Sequence, residues 1–154
     1  MAKYLTAILI SMLPLIELRG AVPVAIGQGI DPVTALVICT LSNMVPVPII
    51  YFFARKFLLW GRKRRFIGDI CTFFLEKGER AGKKLVSKTG RGGLFVALLL
   101  FVGIPVPGTG AWTGTLAASF LDMGFKSTVA AVSFGVMLAG VIMGTASLAV
   151  FGIF

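Results

Sequence analysis

LPLIELRGAVPVAIGQGIDP, residues 13–32, is an apolar stretch that holds Glu17 and Arg19 in its interior and Asp31 near its end, among the helix breakers Pro14, Gly20, Pro23, Gly27, Gly29 and Pro32. A continuous helix is not expected through so many breakers. In lipid, a broken backbone must be shielded by protein or line a wet cavity. A helix–break–helix hairpin that enters and leaves by one side meets that demand. The preceding apolar run, residues 4–16, is too short to span alone. The re-entrant unit is therefore drawn over residues 4–30.

The same pattern returns later. Residues 92–121 contain no charged residue, and their middle reads GIPVPGTGAWTG over 103–114. Thirty residues exceed one span of ~20, and the breakers again sit at the centre. A second re-entrant loop accounts for both features. Each broken unit is followed by a short polar link and an apolar helix, at 33–53 and 128–150. The first helix starts beside the candidate caps Asp31 and Thr34. It should kink at Pro46 and Pro48 and end at Arg55 and Lys56. In the last helix, Ala131, Gly135 and Ala139 are spaced by four, as are Gly140 and Gly144, which favours close packing between helices. IELRGAVPVAIG–ID–VTALV thus pairs with IPVPGTGAWTGTLAA–LD–KSTVAAV in order of elements. If the first loop enters from outside and the second from inside, the halves are inverted, a recurring plan of secondary transporters. The alternative has residues 1–30 and 92–121 each crossing once, giving four plain spans.

Composition supports a membrane setting. Of the 154 residues 57% are hydrophobic and 14% charged, and the mean hydropathy is +0.97. The runs show no alternation of the kind a β-barrel needs. The expectation is an all-α integral membrane protein forming one domain. It has a first repeat over 1–54, a basic segment over 55–91 and a second repeat over 92–154. Net charge is +9, and twelve of the fifteen basic residues lie between Arg55 and Arg91. The positive-inside rule assigns that block to the cytoplasmic face of the inner membrane. There it rests on anionic lipid rather than nucleic acid. Within it, Phe66, Ile70, Phe73, Phe74 and Leu85 fall near one helical face. Lys77, Glu79, Arg80, Lys83 and Lys84 occupy the remainder, the pattern of an interfacial amphipathic helix. The N-terminal MAKYLTAILISML resembles a signal peptide, but no small-residue cleavage site follows. It is expected to stay in the mature chain.

ELRGAVP at 17–23 together with GIPVPGTGAWTG at 103–114 resembles the small multidrug export protein family, a distant relative of the DedA/VTT membrane proteins. The resemblance covers nearly the whole chain. It implies two opposed re-entrant loops, two spanning helices and an amphipathic helix. The DedA-like relatives are associated with proton-dependent transport and with flipping of phospholipids or polyprenyl phosphates. They carry acidic residues in the first loop, matched here by Glu17 and Asp31, and arginines in the second, where this chain has none.

Glu17 and Arg19 are the leading site candidates, because ionisable groups inside a membrane segment are costly and point to function. Glu17 could exchange a proton for substrate, and Arg19 could bind an anion or hold the Glu17 charge. Alternatively the two bond to each other, or to backbone groups freed at the break, and only fix the loop. Gly20 and Pro23 belong to the same motif. Pro107, Gly108, Thr109, Gly110 and Thr113 could present a half-helix N-terminus to an anion, or let two loops pack closely. Trp112 could line a path or fill the loop core. Asn43 could bridge to a loop backbone or face the cavity. Asp31, and likewise Asp122, could be a helix cap.

The chain has no histidine and only two cysteines, Cys39 and Cys71. That argues against His-based triads, imidazole relays, a disulfide framework and a metal site. An intramembrane aspartyl protease needs two Asp residues in its spans, and the apolar runs hold none. The function expected is a small, proton-coupled secondary transporter for an amphipathic substrate, a lipid phosphate or a drug-like molecule. It needs no cofactor and has membrane lipids and protons as partners. An uncoupled lipid scramblase or a structural membrane organiser is the alternative. With only two spans and two half-spans to shield two loops, a homodimer or larger homo-oligomer is expected.

Overall fold

A computed structural model of the chain describes residues 1–13, 16–106 and 109–152; for Leu58 and residues 74, 75, 77–79, 81, 82 and 84–86 it describes the backbone. Pro14, Pro107 and Gly108 therefore lie outside the described residues. So do the side chains of Phe74, Leu85, Lys77, Glu79 and Lys84.

Every regular element among the described residues is helical. α1 (Ala2–Met12) and α2 (Glu17–Gly27) are joined across residues 13–16. Each has 11 residues, or about 16 Å at ~1.5 Å per residue, half of a ~30 Å hydrocarbon core. They pack on each other as a hairpin: Lys3 Nζ, at the start of α1, donates to Gly29 O, just past the end of α2, at 3.0 Å. The break is narrower than the breakers suggest. α2 runs unbroken through Gly20 and Pro23, held by its packing against α1, α3 and α7. Glu17 opens α2 with φ 50°, a left-handed conformation that costs a non-glycine residue on the order of 1–3 kcal/mol.

α3 (Pro32–Met44) starts on Asp31, whose Oδ2 accepts the Thr34 N–H at 3.0 Å and the Thr34 hydroxyl at 3.2 Å. α4 (Pro46–Gly61) follows after Val45, which keeps helical angles, so α3 and α4 form one candidate span of 30 residues. Pro46 and Pro48 stand where α3 gives way to α4, since neither has an N–H for the hydrogen-bond ladder. The expected end at Arg55 and Lys56 is corrected: the helix continues to Gly61. Charge alone does not stop a helix, and ARKFLLW contains no breaker.

α5 (Gly68–Gly103) is two helices merged across Gly90, at φ 72° and ψ 176°. Gly90 has the backbone freedom for that corner. It falls where the basic segment gives way to the second apolar run. After residues 104–110 comes α6 (Ala111–Phe120), then α7 (Phe125–Phe151), a candidate span of 27 residues. Both broken segments are thus helix–break–helix.

The core between α2, α3, α5, α6 and α7 is built largely from small and β-branched side chains, with Ala21, Val22, Val102, Ala118, Ala131, Val132 and Val136 all buried. The stripe Ala131–Gly135–Ala139 is filled from within the chain: a Cβ on Gly135 would stand 2.8 Å from Leu99 O and 2.8 Å from Val102 Cβ. By contrast Val33, Val37, Leu41, Val45, Ile49 and Phe53 are all exposed. They lie at i, i+4 along α3 and α4, forming a bare apolar strip that winds along the two helices. A water-soluble monomer rarely exposes such a strip.

Candidate functional site

The two breaks meet, and α2 carries the groups that join them. A helix begins with N–H groups and ends with C=O groups that have no partner in the helix. The second break creates both kinds at once, at the end of α5 and the start of α6. Glu17 serves the start. Its Oε2 accepts the Ala111 N–H at 3.3 Å and its Oε1 accepts the Trp112 N–H at 3.1 Å. The carboxylate thus caps a helix more than ninety residues away, at the positive end of its dipole. Glu17 is only 7% exposed.

Arg19 serves the end of α5. Its Nη1 donates to Val106 O, and its Nη2 lies 3.3 Å from Val102 O, 3.2 Å from Ile104 O and 2.9 Å from Thr109 Oγ1. Thr109 Oγ1 stands 2.9 Å from Val106 O, so the hydroxyl passes the bond on. A guanidinium suits this work because its planar fork offers several donors in fixed directions. The cation sits at the negative end of the α5 dipole. Neither charge pairs directly with the other within 4 Å among the described residues; both are spent on the backbone of the second break.

The local sequence makes room for this arrangement. A Cβ on Gly110 would stand 1.8 Å from Glu17 Oε2, so only glycine admits the carboxylate there. Gly110 N–H donates to Thr113 Oγ1 at 2.9 Å, which serves a further N-terminal donor of α6. Trp112 Nε1 donates to Met12 O at 3.3 Å, so α6 also holds the end of α1. A void of about 10 Å³ lies beside the clamp, lined by Glu17, Arg19, Asn43, Gly110, Val136 and Ala139 among others.

Glu17, Arg19, Asn43, Thr109, Gly110, Trp112 and Thr113 therefore come together. Gly20 lies in the next turn of α2, where a Cβ would meet Ile16 Cγ2 at 2.2 Å; its role is close packing. Pro23 is further along α2. Asp31 takes the cap reading: its carboxylate accepts the N–H and the hydroxyl of Thr34 at the start of α3, and it is not among the residues that line the void beside the clamp. Asp122 pairs with Arg55 at 2.5 Å.

A family model described as "Putative small multi-drug export protein" matches residues 17–142. The chain belongs to this family. Together with the two apolar helices of spanning length, membership makes it a membrane protein of an export family. Comparison with curated proteins and with solved structures gave no match.

In this export protein the match begins at Glu17 itself and contains every member of the clamp. The site also uses groups that motif reading missed: the carbonyls of Met12, Val102, Ile104 and Val106 and the N–H of Ala111. Backbone atoms carry no residue signature. The only available signal was that a break must leave such atoms in need of partners. Trp112 also lines an open apolar groove of about 450 Å³, together with Ile50, Phe53, Phe57, Ile70 and Leu116 among others. A polar pocket of about 260 Å³, with Arg55, Arg62, Glu76 and Asp122 in its wall, adjoins it, and Phe120 lines both.

Proposed function

We propose that this chain is a proton-coupled secondary transporter that exchanges protons for an amphipathic substrate across the cytoplasmic membrane. The observation that carries the reading is the double bond of the Glu17 carboxylate to the first turn of α6. A charged carboxylate holds two N–H donors and complements the helix dipole. A protonated one loses the charge and becomes a donor itself. Proton uptake thus weakens the joint between α2 and α6, and proton release restores it. A joint between two broken segments that tightens and loosens with one proton supports gating of one segment against the other.

The half-length of α1 and α2, and their hairpin packing, support re-entrant loops over plain spans. The twofold order of broken segment, polar link and long helix supports an inverted repeat. The basic block supports a cytoplasmic placement of residues 55–91. The apolar groove beside a pocket of mixed charge supports an amphipathic substrate, with its apolar part on Phe53, Phe57 and Trp112. No catalytic role is assigned to Glu17. The small amount of protein available to shield two broken segments from lipid supports a homodimer or larger homo-oligomer.

The test is pH-gradient-driven flux in proteoliposomes against a panel of organic cations and polyprenyl phosphate. Wild-type protein is expected to move one class with the gradient, and folded Glu17→Gln protein to lose the coupling. Flux that needs no gradient and survives Glu17→Gln overturns the reading in favour of an uncoupled scramblase.

A further inference from the structure

Asn43 is the only asparagine in the chain. It stands on α3, a helix of the first half, and is 1% exposed. Its Oδ1 is buried and has no hydrogen-bond partner among the described residues. A buried acceptor without a donor is a standing cost to the fold and calls for an explanation. The residue lines the small void shared with Glu17, Arg19, Gly110 and Ala111.

Charged Glu17 has no proton to give, and its oxygens are engaged by α6. Protonated Glu17 has one O–H to donate, and Asn43 Oδ1 is the vacant acceptor on the same void. We infer that Asn43 is the partner of Glu17 in its protonated state, so that one proton moves the side chain from α6 to α3. The inference rests on the proposed coupling role of Glu17 and adds what happens to the side chain once it is neutral. The two states then differ in which half of the molecule holds Glu17. Asn43 acts as a positioning residue, since it works through the Glu17 O–H that it accepts.

The other charged group lining the void is Arg19, engaged with the α5 end. α1 offers only Lys3 and Tyr4 at its far end. α3 adds the thiol of Cys39 one turn before Asn43. Residues 92–103 of α5 and all of α6 carry no charge, and α7 carries only Lys126 in its first turn.

The test uses infrared difference spectroscopy on the full chain in lipid, with asparagine carbon-labelled in its side-chain amide. The label reports Asn43 alone. On acidification, a protonated carboxyl band should appear that is absent in Glu17→Gln. The Asn43 amide carbonyl band should move to lower frequency in step with it, as for a carbonyl that gains a donor. In Glu17→Gln the amide band should not respond to pH. In Asn43→Leu the Glu17 carboxyl band should shift to higher frequency, as for an acid whose O–H has lost its acceptor. A Glu17 band that titrates while the Asn43 band stays fixed overturns the inference and leaves the coupling role standing. No Glu17-dependent carboxyl band at any pH overturns both.

Discussion

The Trp112 N–H donates to Glu17 Oε1 at 3.1 Å across 95 residues of chain. This bond and its neighbour from Ala111 make the first broken segment the cap of the second. Glu17→Gln keeps the shape and one acceptor oxygen but loses the charge and one of the two bonds. A charge-assisted cap of this kind contributes on the order of 1–3 kcal/mol. The variant should unfold at lower temperature in detergent by that measure. Equal stability would mean the two N–H bonds add nothing.

Arg19 serves four acceptors through one planar group. Arg19→Lys keeps the charge and loses the fork, so it should be nearly as damaging as Arg19→Ala. Thermal unfolding and transport of both variants check this. A lysine variant close to wild type would show that charge, not geometry, holds the end of α5.

Gly110 leaves no room for a side chain beside Glu17. Gly110→Ala must push the carboxylate off the α6 start, at a cost of roughly 1–3 kcal/mol. Transport should fall with it. The effect should shrink in a Glu17→Ala background, because the clash partner is then absent. Additive losses in the double variant would contradict the contact.

The ion pair Arg55–Asp122 at 2.5 Å has both side chains about half exposed. Asp122→Asn should therefore change stability by no more than about 1 kcal/mol, and by less in high salt. Tyr51, whose hydroxyl donates to Met123 O at 2.5 Å, is expected to hold this link when the pair is gone. A large loss on Asp122→Asn, measured by thermal unfolding, would give the pair a role beyond the surface.

Gly135→Leu should unfold the protein rather than split an oligomer, since its face is filled by Leu99 and Val102 of the same chain. Cross-linking in native membranes should trap a dimer of the wild type. A monomeric, stable Gly135→Leu protein would move the dimer contact onto the α7 small-residue face.

Much of the fold could be read from the chain because apolar runs and breakers act locally. The two broken segments and the long last helix follow from the apolar runs and their breakers, whereas the corner at Gly90 was not read from the sequence. The extent of α4 did not, because a charge inside a helix reads like a charge beyond its end. Nor did the continuity of α2 through Pro23, which rests on packing by α3 and α7. Glu17 and Arg19 stood out as charges among apolar residues. Their partners are backbone atoms of the opposite half, and no residue type announces those. Asp31 looked equally acidic, and only its position three residues before Thr34 marks it as a cap.

The proposed coupling turns on a proton at Glu17 that loosens the joint between α2 and α6. The direct measurement is a pulsed electron-spin distance between labels on Val24 of α2 and Leu116 of α6, in a background with Cys39 and Cys71 replaced, in lipid at alkaline and at acid pH. The account predicts a distance distribution that broadens or lengthens on acidification in the otherwise wild-type protein and does not change with pH in Glu17→Gln. A distribution that stays the same at both pH values, in a protein that still takes up a proton on Glu17, would contradict it.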